Sequence, residues 1–238
     1  MDKLSRTIIV SPTYNELDNA QILVPALFFH FPNIHLMIVD DSSPDGTSDE
    51  IEKMTKRIPN LILLKRPTKL GFGTAYRDAY KKILDDSRFD FIVSMDADFS
   101  HDFREISKML NLLDDNDFVI GSRYIKGGRV ENWSLARLML SKFSNWYVRT
   151  ILGIPVKDVT TGFTCFKKEI LRNFSPDEIF SKGYSFLVEL KYLIAKKGYK
   201  IKEYPILFKE RRGGRSKMSG KVIWESIWMP WKLKLRKV

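Results

Sequence analysis

Apolar, strand-like runs and helical segments take turns through the first half of this 238-residue chain, and nothing else in it constrains the fold as much. Thr7 to Val10 reads as a strand, Leu17 to Phe29 as a helix and Leu36 to Asp40 as a strand. A helix from Thr47 to Lys56, a strand from Leu61 to Lys65 and a helix from Gly73 to Leu84 follow. Phe89 to Met95, Phe103 to Leu113 and Phe118 to Gly121 continue as strand, helix and strand. This alternation predicts an α/β domain with a Rossmann-like, doubly wound, mostly parallel sheet. Such sheets bind ligands beyond the carboxyl ends of their strands.

One of those ends is chemically distinctive. Residues 90–98 read Asp-Phe-Ile-Val-Ser-Met-Asp-Ala-Asp, a short apolar run that ends in Asp96 and Asp98. The run fits a buried strand. Two carboxylates at its end suit a hard divalent cation, Mg2+ or Mn2+, better than they suit a core. A helix cap and a solvated loop acid are the plainer alternative. His101 lies nearby, and a lone histidine is more often structural than a ligand.

Composition excludes several classes. Cys165 is the only cysteine, so neither an intramolecular disulfide framework nor a cysteine-based zinc site is available. The chain shows no signal peptide and no run of 18 apolar residues, so no transmembrane helix is expected. The net charge is +11, and residues 196–238 account for all of it, with 14 Lys and Arg against 3 Asp and Glu. Such asymmetry points to a polyanion or an anionic membrane surface as partner, or to a solvated basic tail.

The second half is less regular. Trp133 to Ile151 carries Leu135, Leu138, Met139, Phe143, Trp146 and Val148 at helical spacing, with Arg137, Lys142 and Arg149 between them. That fits a core helix, and the mix of aromatics and bases also suits a membrane interface. Lys209 to Gly220 reads as a basic, glycine-rich mobile loop. From Val222 onward, Trp224, Trp228 and Trp231 stand beside Lys232, Lys234, Arg236 and Lys237. Tryptophans beside bases fit an interfacial anchor or packing against the domain, and Pro230 is expected to interrupt any helix there. The expected division is a catalytic domain over 1–218 and a basic, Trp-rich amphipathic segment over 219–238.

The loops after the strands add candidate residues. Pro12-Thr13-Tyr14-Asn15-Glu16 offers an aromatic face and an acceptor for sugar or base hydroxyls, although alone it is an ordinary polar turn. Asp40-Asp41-Ser42-Ser43-Pro44-Asp45-Gly46-Thr47 nearly matches a calcium loop, but it follows a strand, and Ser43 and Pro44 fit poorly. The better reading has Asp41 on a nucleotide base or ribose, with Asp45 to Thr47 making a turn and helix cap. Gly71-Phe72-Gly73 fails the dinucleotide fingerprint, because Tyr76 stands where the third glycine belongs. Those glycines are expected to serve a tight turn and close packing. Arg123, Arg137, Arg211 and Lys217 are candidate phosphate contacts.

Taken together, these segments resemble the inverting GT-A glycosyltransferases, with Gly121-Ser122-Arg123-Tyr124 and Thr160-Thr161-Gly162-Phe163 completing the set. Trp133 to Arg137, Gly183-Tyr184-Ser185-Phe186 with Glu189, and Phe208 to Met218 narrow the resemblance to the dolichyl-phosphate mannose synthases. The resemblance spans residues 8–218. It implies transfer of mannose from GDP-mannose to dolichyl or another polyprenyl monophosphate. By the same resemblance, Pro12, Tyr14, Glu16, Val39 and Asp41 contact the guanosine end. Asp96, Ala97 and Asp98 bind metal and sugar diphosphate, with Asp98 the direct ligand. Arg123, Arg211 and Lys217 contact phosphates, and Arg137 holds the acceptor phosphate.

The sequence departs from the family's pattern at Ser100, where some members carry Gln as a further ligand, at Asp102 and at Ser134. Some members continue into transmembrane helices. This chain would need its amphipathic segments, or a small membrane-anchoring partner, to sit peripherally on the cytoplasmic face of a membrane.

The expected chemistry is economical. A phosphate monoester is already anionic near neutral pH, so it needs no catalytic base. Charge screening and orientation remain as the work of the site. A glucosyltransferase using UDP-glucose is the nearest rival reading. A basic nucleic-acid-binding module is a distant one, because acidic strand ends repel nucleic-acid phosphates, and no nucleic acid is expected as partner.

Overall fold

The computed structural model describes residues 2–210 and 220–236. Elements alternate as the sequence predicts. They run β1 (Thr7–Thr13), α1 (Leu17–His30), β2 (His35–Asp40), α2 (Thr47–Thr55), β3 (Leu61–Lys65), α3 (Phe72–Leu84), β4 (Phe91–Ser94), α4 (Ile106–Leu112) and β5 (Phe118–Ser122). There follow β6 (Arg129–Val130), α5 (Leu135–Leu152), β7 (Thr164–Lys167), α6 (Glu169–Arg172), α7 (Ser185–Lys196), β8 (Ile201–Pro205), β9 (Leu207–Phe208) and α8 (Gly220–Leu235).

The main sheet has the order β3-β2-β1-β4-β7-β5-β8. Only β7 runs antiparallel, between β4 and β5. Residue alternation along the strands builds a core on each face, as a pleat with period two requires. Ile8, Val10, Ile92, Phe118 and Ile120 pack toward α3 and α7. Ile9, Val93 and Val119 pack toward α1 and α4 on the other face.

This topology positions the site. The chain winds from β1 outward to β3 and then returns to place β4 on the other side of β1, so β1 and β4 flank the switch point. Because β7 is antiparallel, the residues that precede it, Thr160 to Gly162, reach the same sheet edge as the carboxyl ends of β4 and β5. Beside that edge β6 and β9 pair as a small parallel ribbon. The ribbon brings Phe208 and Lys209 in, and the Lys209 N–H donates to the Ser100 carbonyl at 3.1 Å.

One expectation is corrected here. Pro230 does not interrupt the C-terminal helix but lies inside α8. The helix is braced around it, because the Tyr147 hydroxyl of α5 donates to the Ile227 carbonyl at 2.9 Å and accepts from Trp231 Nε1 at 2.9 Å. Among the described residues no helix is long and apolar enough to cross a membrane.

Candidate active site

Four strand ends and the loop before β7 supply the site. At the end of β1, Pro12 and Tyr14 form one wall of a pocket of about 250 Å³, whose other walls include Asp41, Lys69, Phe72 and Tyr184. Phe72 and Tyr184 stack with ring centroids 4.9 Å apart, and Lys69 Nζ sits 3.5 Å over the Tyr14 ring. The pocket is flat-walled and aromatic, with one carboxylate and one ammonium group. Those are features that take a heterocyclic base.

The acids of the second loop divide their work. Asp40 is fully buried and accepts from Thr13, Ser43 and Ser48, which ties the first two strand-end loops together. Asp45 accepts from the Leu17 and Thr47 N–H groups, and Gly46 caps α2 with φ +88°. Asp41 accepts from Arg66 Nη1 at 2.7 Å and from the Leu70 and Gly71 N–H groups at 3.2 and 2.9 Å. It therefore holds the Leu70–Gly71 turn that builds the pocket wall. Arg66 carries no signal in the sequence, yet it is almost wholly buried and also donates to Thr74 Oγ1 at 2.6 Å. Gly73 shows why a glycine stands there. A Cβ would come within 2.6 Å of Phe186 Cβ and 2.9 Å of the Gly183 carbonyl.

Two further expected nucleotide contacts do not line this pocket. Val39 is fully buried in the core. Glu16 lies outside the pocket lining, and its carboxylate accepts from Asn19 Nδ2 at 2.8 Å.

The β4 end carries Asp96, Ala97 and Asp98. Asp98 is nearly buried, and its Oδ1 accepts from the Ser100 N–H and hydroxyl at 3.1 and 2.6 Å. Asp96 is half-buried, and Gly162 faces its carboxylate. A Cβ on Gly162 would lie 3.4 Å from Asp96 Oδ1, so the glycine keeps that side of the carboxylate open. His101 is buried beside the pair. Its Nδ1 accepts the Asp96 N–H at 3.4 Å, and burial first of all pushes its pKa down to about 4, so it is neutral at neutral pH. Among the described residues no cluster of three His, Cys, Asp or Glu could hold an ion. The donor set fits a hard cation bound through Asp96 and Asp98 that completes its shell with ligand oxygens and water.

Backbone strain marks the same edge. Among the described residues, the non-glycine residues with positive φ are Asn15, Ser42, Phe99 and Asn132. The first three follow β1, β2 and β4, and the last precedes Trp133. Such residues cost on the order of 1–3 kcal/mol each and collect at functional sites.

Beyond β5, Arg123 is buried and forked onto Asp158, with Nε and Nη2 each at 2.7 Å from its carboxylate oxygens. Nη2 also donates to Thr160 Oγ1 at 2.8 Å. Burial raises the Asp158 pKa, but the Arg123 charge and hydrogen bonds outweigh it, so Asp158 stays below the usual carboxylate range. Arg123 Nη1 makes no hydrogen bond to a described residue. Behind this pair Lys191 is fully buried, and its Nζ donates to the Thr161 and Leu187 carbonyls at 2.8 and 3.3 Å. Desolvation pushes its pKa down to about 7. Asp158 and Lys191 are buried supports of the Arg123 fork and the Thr161 carbonyl that the sequence alone does not flag, because lone charges on such segments read as surface.

Arg137, in the first turn of α5, lies 4.0 Å over the Trp133 ring and pairs with Glu210 at 2.6 Å. Trp133 Nε1 has no hydrogen-bond partner among the described residues. Arg211 and Lys217, and the loop movement expected of them, lie outside the described residues.

The glycosyl transferase family 2 model matches residues 8–179. A polyprenol monophosphomannose synthase of Mycolicibacterium smegmatis is 38% identical over 224 residues, 93% of this chain and 84% of that one. An undecaprenyl-phosphate mannosyltransferase of Micrococcus luteus is 37% identical over 222 residues, 93% of this chain and 91% of that one. Among solved structures, glucosyl-3-phosphoglycerate synthase of Mycobacterium tuberculosis superposes with a TM-score of 0.67 at 15% identity, covering 96% of this chain and 79% of that one. A mannosyltransferase of Pyrobaculum calidifontis, solved with GDP-Man and Mn2+, has a TM-score of 0.60 at 18% identity; the match covers 92% of this chain but only 59% of that one. These two share the GT-A fold with it. A family model over most of the chain, and relatives above one third identical along nearly all of it, make this protein a member of glycosyl transferase family 2.

Proposed function

We propose that the protein transfers mannose from GDP-mannose to a polyprenyl (dolichyl) monophosphate with inversion at the anomeric carbon. The products are GDP and a β-linked mannosyl phosphate lipid. One observation carries this reading. A single sheet edge aligns an aromatic pocket, the Asp96–Asp98 pair and the Arg123–Arg137 side, next to a helix whose apolar face is exposed. The names of two relatives support the sugar and the lipid class.

In this reading Tyr14, Pro12 and the Asp41 wall receive the guanosine, and Asp96, Ala97 and Asp98 face the sugar diphosphate. Mg2+ or Mn2+, when bound by Asp96 and Asp98, would offset the charge of the diphosphate. Arg123 turns its Nη1 to phosphate while Asp158 fixes the rest of the guanidinium. Arg137 exchanges Glu210 for the acceptor phosphate, and Arg211 and Lys217 add charge from the basic segment. An acceptor phosphate oxygen bonds to the anomeric carbon as the bond from that carbon to the GDP oxygen breaks. No proton has to move, so no base is required. Residues 1–218 form the catalytic domain, and 219–238 help hold it peripherally on a membrane, alone or with a small anchoring partner.

The test is transfer of labelled mannose from GDP-mannose to a short polyprenyl phosphate, with Mn2+, Mg2+ or EDTA and with UDP-glucose as paired donor. Mannosyl lipid should form only with metal, and Asp98→Ala should lower turnover about 100-fold or more. Equal transfer from UDP-glucose, or metal-independent transfer, would refute the reading.

A further inference from the structure

A second cavity lies away from the nucleotide pocket, between α5 and the loop after β5. It measures about 340 Å³, and Tyr124, Lys142, Trp146, Arg149 and Lys157 line it, with Arg123 at its base. No acid lines it. Arg123 is committed to Asp158, but Lys142, Arg149 and Lys157 form no ion pair with any described residue. The neighbouring Glu203 is occupied by the backbone N–H groups of Lys157 and Asp158 at 2.9 and 3.0 Å. Lys142, Arg149 and Lys157 are exposed, and without an acid beside them they make the cavity mouth locally positive, which favours an anion there.

The surroundings identify the anion. Lys142, Trp146 and Arg149 recur at i, i+4 and i+7 and so share one stripe of α5. Arg137 precedes Lys142 by five residues, which turns it about 140° away, so the Lys142–Trp146–Arg149 stripe faces away from Arg137, and Arg123 alone is shared with the phosphate side proposed above. Trp146 also borders an exposed apolar surface made by Met139, Leu140 and Phe143 of α5 and by Trp224 and Trp228 of α8. The Tyr147 hydroxyl bonds to Ile227 and Trp231 and locks the two helices together. A free phosphate would gain nothing from that surface, whereas a charged head group on acyl chains would use both parts.

We propose that this cavity binds the phosphodiester head group of an anionic phospholipid, as a lipid site separate from that of the acceptor. The bound lipid seats the α5–α8 face on the bilayer and holds the acceptor side of the sheet edge toward it.

The test needs no sugar donor, so it stands or falls apart from the transferase reading. Wild type is compared with Lys142→Gln/Arg149→Gln/Lys157→Gln and with a charge-matched control, Lys56→Gln/Arg57→Gln/Lys202→Gln, on the full chain. Co-sedimentation with phosphatidylcholine vesicles containing phosphatidylglycerol should weaken about 100-fold in the cavity variant, at ~1 kcal/mol per basic residue. The control should bind as wild type does. Tryptophan fluorescence then distinguishes the sources of the anion. Short-chain phosphatidylglycerol below its micelle concentration should give a saturable change that Trp146→Phe and the cavity variant both lose. Inorganic phosphate as effective as that lipid, a cavity variant that binds vesicles like the control, or one-for-one displacement by a short polyprenyl phosphate each overturns the proposal.

Discussion

Asp158→Asn is the most searching perturbation of the phosphate side. Asp158 is fully buried and receives the Arg123 N–H at 3.0 Å as well as both arms of the guanidinium at 2.7 Å. Asparagine keeps the shape and one acceptor but removes the charge and aims an amide N–H toward a cation. Breaking a buried pair from one side costs about 3–5 kcal/mol, because the other charge stays buried without its partner. Here Arg123 keeps Thr160 Oγ1 and lies 5.1–5.6 Å from the rings of Tyr124, Trp133 and Phe208, which places the expected loss near the lower bound, about 3 kcal/mol. At roughly 2–4 °C per kcal/mol for a chain of this size, Tm should fall by about 6–12 °C.

Denaturant unfolding of wild type, Asp158→Asn, Arg123→Met and the double variant supplies the assay. The double variant removes both charges and should be more stable than either single variant predicts, with a coupling of ~2 kcal/mol. The pH dependence follows from the depressed Asp158 pKa. Its contribution is present above the unfolded value, about 3.9, and is lost as pH falls through the lower folded value. The gap between wild type and Asp158→Asn should therefore be constant near neutrality and close only in strong acid. A loss under about 1 kcal/mol, or additive single variants, refutes the assignment of Asp158 as the support that fixes Arg123.

Lys191 gives a pH signature of the same sign in a different window. Its pKa of about 7 lies below the unfolded value of about 10.4, so the unfolded chain binds the extra proton between them, and stability from this group rises with pH across that window. The stability difference between wild type and Lys191→Met, followed by denaturant unfolding from pH 6 to 10, should change by up to ~1.4 kcal/mol per pH unit; a flat difference disproves it. Two glycines provide a contrast. Gly73→Ala should cost about 1–3 kcal/mol in a thermal melt, because its Cβ meets backbone at 2.9 Å. Gly162→Ala meets only ordinary contacts and should melt close to wild type while losing Mn2+-dependent protection by GDP. A normal GDP response there would show that the space beside Asp96 is not used.

The strands legible in the sequence were those whose apolar runs the parallel sheet buries on both faces, such as Leu36 to Asp40 and Phe118 to Gly121. β7 was not legible. Thr-Cys-Phe-Lys is too short to show a period, and only its antiparallel pairing with β4 and β5 defines it. Pro230 misled for a related reason. A residue's local preference says little once a neighbouring helix satisfies the backbone around it, as Tyr147 does.

The candidate site divides along the same line. Asp96 and Asp98 could be found because they interrupt an apolar run at a strand end, where charge has no structural reason to be. Arg66, Asp158 and Lys191 stayed hidden because a buried charge looks the same in sequence as an exposed one. Each of them acts by holding something else: Arg66 the Asp41 turn, Asp158 the Arg123 fork, Lys191 the Thr161 carbonyl beside Gly162. These supports meet at the antiparallel strand. If β7 ran parallel, the Thr160–Gly162 loop would leave the sheet at the far edge, and neither Arg123 nor Asp96 would keep its neighbour. The reversal of that one strand therefore does more than close the sheet. It brings the preceding loop to the edge where the acids of β4 and the arginine after β5 face each other.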